Sequence, residues 1–178
     1  TPNQKDIVWA IFKINYDPNN KKQVRAGILG SAFFVEKRFF ISAYHCFADS
    51  TFFPEDGFSK AKVFLVNEKG HVIENLRIKK LIPQYDLAIG ELISEDSNVN
   101  VVTTASDFNV GDSVYNLGFP IDEALIDWGF RIDSDELFVE KIVMKKSQQD
   151  GIIEGLGTSS ISGINVKLEK KPMIKLSH

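Results

Sequence analysis

The residue type best suited to chemistry in this chain is also one of its rarest: there are three histidines in 178 residues. His45 closes the segment Phe40-Ile41-Ser42-Ala43-Tyr44-His45. A histidine at the end of a buried strand is held by the sheet while its ring reaches a cleft, as a general base must. A hydrogen-bonded core histidine would fit the same local pattern. Asp86 heads a second apolar run, Leu87-Ala88-Ile89-Gly90-Glu91-Leu92. Burying a carboxylate there is costly unless its charge is paired. A carboxylate on one ring nitrogen of a histidine also fixes the tautomer and stabilises the imidazolium formed in turnover. An exposed turn aspartate after Pro83-Gln84 is the plainer alternative. The third element is the Gly- and Ser-rich stretch from Gly155 to Val166. Serine is a poor nucleophile until an adjacent base takes its proton. Small residues around it let backbone N–H groups converge on a developing oxyanion. Such a stretch also serves as an ordinary loop between strands.

The elements that would carry these residues read as short strands. Ile7–Ile14 alternates, with Val8, Ala10, Phe12 and Ile14 on one side, and Asp17-Pro18-Asn19-Asn20 follows as a turn. Ile28–Val35 and Phe39–Ser42 form a predicted hairpin about the charged tip Glu36-Lys37-Arg38. Further strands are expected at Ala61–Asn67, His71–Ile82, Asp86–Leu92, Ser113–Leu117, Leu137–Lys145, Gly151–Glu154, Ile164–Leu168 and Pro172–Leu176. No amphipathic helical stretch of about 12 or more residues competes with them. The fold class is therefore all-β, a sandwich or barrel. The polar stretch Ser94–Asn100 divides the chain into two β units, 1–95 and 96–178, with a binding cleft expected between them.

Composition narrows the field. Apolar residues at 43% and charged residues at 25% describe an ordinary globular chain, and 14 Phe promise an aromatic core. A net charge of -3 gives no electrostatic case for nucleic acid. No apolar run is long enough for a helical membrane span. With Cys46 as the one cysteine, no intrachain disulfide can form, and neither a reducing compartment nor export follows from it. Cys46 beside His45 lacks the companions of a zinc set, so a buried thiol is expected there; acyl transfer by an activated serine needs no metal or organic cofactor. Asp122, Glu123, Asp127, Asp133, Asp135 and Glu136 cluster after Phe119-Pro120 and read as a solvated loop; a calcium site or a surface for a basic partner is the alternative. Trp9 and Trp128 read as packing residues.

Taken together and in order, these motifs resemble the trypsin/chymotrypsin family of serine proteases, especially its bacterial, disulfide-free members. Gly30-Ser31-Ala32-Phe33-Phe34-Val35 is similar to the family's "GSGFFV" strand and Phe40–Cys46 to its "ILTAAHC". Asp86-Leu87-Ala88-Ile89 is similar to "DIAL", and Val110–Val114 through Gly118-Phe119-Pro120 to "VGxxVxxxGFP". The resemblance implies two antiparallel six-stranded-type β-barrels, the first carrying His45 and Asp86 and the second the nucleophile. It implies a serine endopeptidase with a His45, Asp86, Ser162 triad, acting on protein or peptide substrates.

The serine is where the sequence departs most from that pattern. Against the family's "GDSGGPV", Ser160-Ile161-Ser162-Gly163-Ile164-Asn165-Val166 keeps the nucleophile, the following Gly and the Val. In this register Ile174-Lys175-Leu176-Ser177 falls on the family's substrate-pairing "GIVS" strand, which implies a substrate-binding role for Ser177 and His178. Leu156 falls at the floor of the specificity pocket. The oxyanion hole would be the N–H groups of Ser160 and Ser162, with Ser160 in the place of a glycine that reaches φ > 0 freely. Ile161 replaces the aspartate that pairs with a newly cut N-terminus in digestive relatives, so activation by that route is not expected. Gly157-Thr158-Ser159 is a rival register, with Ser159 as nucleophile. The chain stops at His178 just past the inferred substrate strand, so the second barrel reads as truncated. These departures keep a second class open: a degenerate or conditionally active protease-like domain that binds peptides.

Overall fold

The computed structural model describes residues 7–20, 23–48, 50–120, 122–159 and 171–176, and beyond Ile153 the backbone alone. The chain is all-β. Seven strands come from its first half: β1 (Trp9–Tyr16), β2 (Val24–Phe34), β3 (Phe39–Ser42), β4 (Lys60–Val66), β5 (Val72–Ile73), β6 (Leu76–Ile82) and β7 (Leu87–Leu92). They form one sheet in the order β5-β4-β1-β2-β3-β7-β6. Its two ends, β5 and β6, are separated only by Glu74 and Asn75, so one run of chain supplies both margins and the sheet curls back on itself. The remaining strands are β8 (Ser113–Gly118), β9 (Leu125–Asp133), β10 (Glu136–Met144), β11 (Ser147–Ser159) and β12 (Lys171–Leu176). β9 and β10 pair as a hairpin, and β11 pairs with both β8 and β12. Every strand pairing is antiparallel, as local hairpin connections favour.

Alternation along β1 organises the interior. All eight of its residues are buried. Trp9 and Ile11 join Phe34, Phe40, Phe47 and Leu65 inside the curled sheet. Ala10, Phe12, Ile14 and Tyr16 join Phe64 in a second cluster completed by Phe119, Leu137, Ile142 and Met144. Side chains of a strand alternate between faces, so a strand buried at every position must be covered on both. The second-half strands cover one face here. The aromatic content is spent in these clusters: Phe34 packs edge-on against Trp9 and Phe40, Phe12 stacks on Phe64, and Trp128 stacks on Phe130 with its edge toward Phe12. Both tryptophans are packing residues, as expected.

Several boundaries differ from the sequence reading. β2 begins at Val24, and the stretch 71–82 is broken at Glu74-Asn75 into β5 and β6. β11 is longer than Gly151–Glu154 and carries its ladder through the Gly-rich residues to Ser159, which pairs with Lys171. The acidic cluster divides between turn and strand: Asp122 and Glu123 are exposed turn residues, as expected, and the others lie along a hairpin. Asp127 and Asp133 lie on β9, Glu136 starts β10, and Ser134 and Asp135 make the turn with φ of 51° and 65°. Trp128, Phe130 and Ile132 alternate along β9 onto the second cluster, which is the signal the acidic count obscured. Three of the six carboxylates are paired: Asp127 with Lys141, Asp133 with Arg131, Glu136 with Lys62. The expected strand Ile164–Leu168 lies outside the described residues.

Candidate active site

His45 and Asp86 are brought together by one strand register. β3 and β7 are antiparallel neighbours with Ser42 opposite Ala88. The chain leaving β3 and the chain entering β7 therefore meet at the same end of the sheet. The three residues after the β3 exit reach His45, and the two before Ala88 reach Asp86. Two backbone devices complete the approach. Tyr44–Cys46 forms a single 3-10 turn, closed by the Phe47 N–H donating to the Tyr44 carbonyl at 2.9 Å. Pro83–Tyr85 forms another, and Asp86 caps it in the left-handed region at φ 50°, its N–H donating to the Pro83 carbonyl at 3.0 Å. Aspartate is among the few non-glycine residues that enter this region readily. The Tyr44 N–H donates to the Asp86 carbonyl at 3.1 Å and joins the two turns.

The side chains then meet in a bidentate arrangement. Nδ1 of His45 lies 2.7 Å from Oδ2 of Asp86, and the backbone N–H of His45 donates to Oδ1 at 3.0 Å. The carboxylate is nearly enclosed, with 10% of its side chain exposed, whereas the imidazole is 47% exposed. A carboxylate accepting at Nδ1 places the ring proton there and leaves Nε2 as the acceptor. Among the described residues, Nε2 meets no hydrogen-bonding partner. The ring is thus held from behind by an anion and presents a basic nitrogen outward.

The support beneath the ring depends on two glycines. A Cβ on Gly30 would stand 2.5 Å from Sγ of Cys46, so β2 must be bare there for the 3-10 turn to sit down on it. A Cβ on Gly90 would collide with the ring of Phe40, which lies across β7 from β3. Cys46 is buried, its Sγ directed to the Leu29 carbonyl at 3.4 Å. Burial pushes its thiol pKa up and the Asp86 charge adds to that, against a smaller opposing effect of Ser42. Cys46 is a neutral packing group rather than a second nucleophile. Ser42 in turn donates to the Ser31 carbonyl at 2.8 Å, tying the end of β3 to β2.

Beside His45 is a cavity of about 210 Å³, lined also by Lys13, Leu29, Ser50, Thr51 and Glu55. The loop walling it is pinned from β1. The Lys13 ammonium, whose residue is only 7% exposed, donates to the carbonyls of Phe53 at 2.9 Å and Ser50 at 3.4 Å. Thr51 Oγ1 donates to the Cys46 carbonyl at 3.0 Å. No feature of the sequence had marked Lys13; an isolated lysine in an apolar strand was the signal available. Among the described residues no three His, Cys, Asp or Glu side chains converge as a metal site, and no helix is long and apolar enough to cross a membrane.

Ser162, with Ser160, Ser177 and His178, lies outside the described residues. The backbone of Leu156 is on β11 opposite Ile174, and Ser159 ends that strand. A second histidine–carboxylate pair went unnoticed in the sequence. His71 Nε2 lies 2.9 Å from Asp96 Oδ2 and 3.2 Å from Asn98 Nδ2, and its ring meets Trp9 edge-on.

The curled seven-stranded sheet, the second set of antiparallel strands and the His45–Asp86 corner together define the trypsin/chymotrypsin-like serine protease fold. Three solved structures carry that likeness: Deg5 (21% identity, TM-score 0.51), the HtrA-type protease AlgW with decapeptide (12%, 0.55), and the active form of the Rv3671c protease from M. tuberculosis (14%, 0.51). They are covered over 98%, 97% and 97% of this chain, which spans 70%, 49% and 57% of theirs. Neither a protein-family model nor a curated protein sequence matches the chain.

Proposed function

We propose that the chain is a serine endopeptidase that hydrolyses peptide bonds through an acyl-enzyme on Ser162. The observation that carries this reading is the His45–Asp86 pair: an enclosed carboxylate on Nδ1, with Nε2 turned outward and unpartnered among the described residues. Ser162 Oγ attacks the substrate carbonyl while His45 Nε2 takes its proton. Asp86 stabilises the resulting imidazolium without itself being protonated. The N–H groups of Ser160 and Ser162 hold the oxyanion, and the imidazolium then protonates the leaving amine. Water attacks the ester by the same route in reverse. The substrate is a protein or peptide lying between the units 1–95 and 96–178, along Ser177 and His178, with Leu156 at the floor of an apolar pocket. The decapeptide seen with AlgW is consistent with a peptide ligand for this fold.

A fluorophosphonate probe tests the assignment. It is expected to label the protein, and Ser162→Ala and His45→Ala are expected to abolish labelling. Labelling that survives Ser162→Ala but not Ser159→Ala moves the nucleophile to the rival register. A wild-type protein that binds peptides and takes no label leaves the peptide-binding module as the correct reading.

A further inference from the structure

Away from the His45–Asp86 corner, the margin of the first sheet combines three features. Among the described residues β6 ends the strand order and pairs with β7 alone, so its other edge has no strand beside it there. Beside it is a cavity of about 420 Å³, walled by Leu76, Ile78 and Leu81 of β6 and by Phe47 and Phe52 of the loop after His45. Phe52 is 41% exposed and its neighbour Phe53 66%, although Phe52 stacks on buried Phe47. Finally, β6 is basic. Arg77 is spent on Glu91, with contacts of 2.8 Å; the Lys79 charge also acts on that carboxylate, and Lys79 and Lys80 are both exposed with no ion pair of their own among the described residues. A bulge between Ile78 and Lys80 interrupts the ladder at this point. In a chain of net charge -3 this is a local reversal of sign.

The geometry points to a docking groove for an extended acidic segment of a partner protein, bearing one or two large apolar side chains. Its backbone would add a strand to β6, an aromatic or leucine side chain would fill the cavity against Phe52, and its carboxylates would meet Lys79 and Lys80. The inference does not depend on Ser162 or on hydrolysis.

The test uses two short rhodamine-labelled peptides with the same alternating Phe and Leu residues, one interspersed with Asp and Glu and one with Lys. Fluorescence anisotropy with the intact chain is expected to show the acidic probe bound about tenfold tighter at low salt, with the preference shrinking as salt rises. Lys79→Glu with Lys80→Glu is expected to remove or reverse the preference. Phe52→Ala is expected to weaken both probes severalfold, and circular dichroism checks that each variant keeps its strand content. Equal affinity for the two probes overturns the proposal, as does a preference that survives the double lysine variant. Sedimentation showing the groove closed by a second copy of the chain overturns it too; the lysines would then only guard an open edge.

Discussion

The molecule contains two histidine–carboxylate pairs built to opposite ends. At His45 the acid meets Nδ1, the carboxylate is the enclosed partner, and the imidazole is half exposed. At His71 the acid meets Nε2, Asn98 also crowds that nitrogen, and the ring edge rests on fully buried Trp9. The His71 backbone N–H is held as well, by Asn67 Oδ1 at 2.9 Å. Both pairs satisfy charge and hydrogen bonding, but only the first leaves the nitrogen remote from the backbone unpartnered among the described residues. A histidine–aspartate contact therefore says little about chemistry until the nitrogen it uses is known. The second pair works as a clasp, fastening the stretch 94–100 to the β4–β5 hairpin.

The widest separation of the two pairs is expected from matched substitutions at the acids. Asp86→Asn should lower kcat/KM on a fluorogenic peptide by about 10⁴, because the amide favours the wrong tautomer. Asp96→Asn should leave that rate within a few-fold. Comparable losses from both variants would erase the distinction.

Next in size is a change that touches neither acid. Gly90→Ala drives a methyl group into the Phe40 ring and should destabilise the fold by about 1–3 kcal/mol in urea titrations. The corner at His45 should be disturbed with it, through β3 and β7, while the His71 clasp on β4 and β5 is spared. Amide exchange can resolve the two regions.

A smaller effect belongs to the clasp. Burial raises the Asp96 pKa, but hydrogen bonds from His71 and from the Asn98 backbone and side chain outweigh it, and the carboxyl sits below its ordinary value of 3.8. A depressed acid contributes stability above its unfolded pKa and loses it as pH falls through the folded one. The stability gap between wild type and Asp96→Asn, about 1 kcal/mol for a partly exposed pair, should thus be full at neutral pH and vanish in strong acid. A gap that grows on acidification would refute the pairing. Smallest of all, Asn98→Ala should cost about 0.5 kcal/mol in the same titration.

The two pairs also differ in how readable they were. His45 and Asp86 were legible because each ends or begins an apolar strand, and an antiparallel register turns such positions into neighbours. His71 and Asp96 sit in connections, one just before a two-residue strand and one at the start of a turn, where no period marks the contact. β1 announced one face through Val8, Ala10, Phe12 and Ile14, yet its burial on both faces depended on strands far along the chain. β9 was hidden because pairing across the hairpin lets Asp127 and Asp133 sit on a strand, and single-residue reasoning scores them as loop. Lys13 was invisible for a related reason: the carbonyls that receive it come from a loop some forty positions away.

β1 is a party wall. Trp9 and Ile11 belong to one interior and Phe12 and Ile14 to the other, so neither interior can melt while its neighbour stays intact. A chain whose two apolar clusters share one strand this way should lose its structure in one cooperative step. Cut at the polar stretch 94–100, the seven-stranded sheet would carry an aromatic face bare to water and be prone to clump.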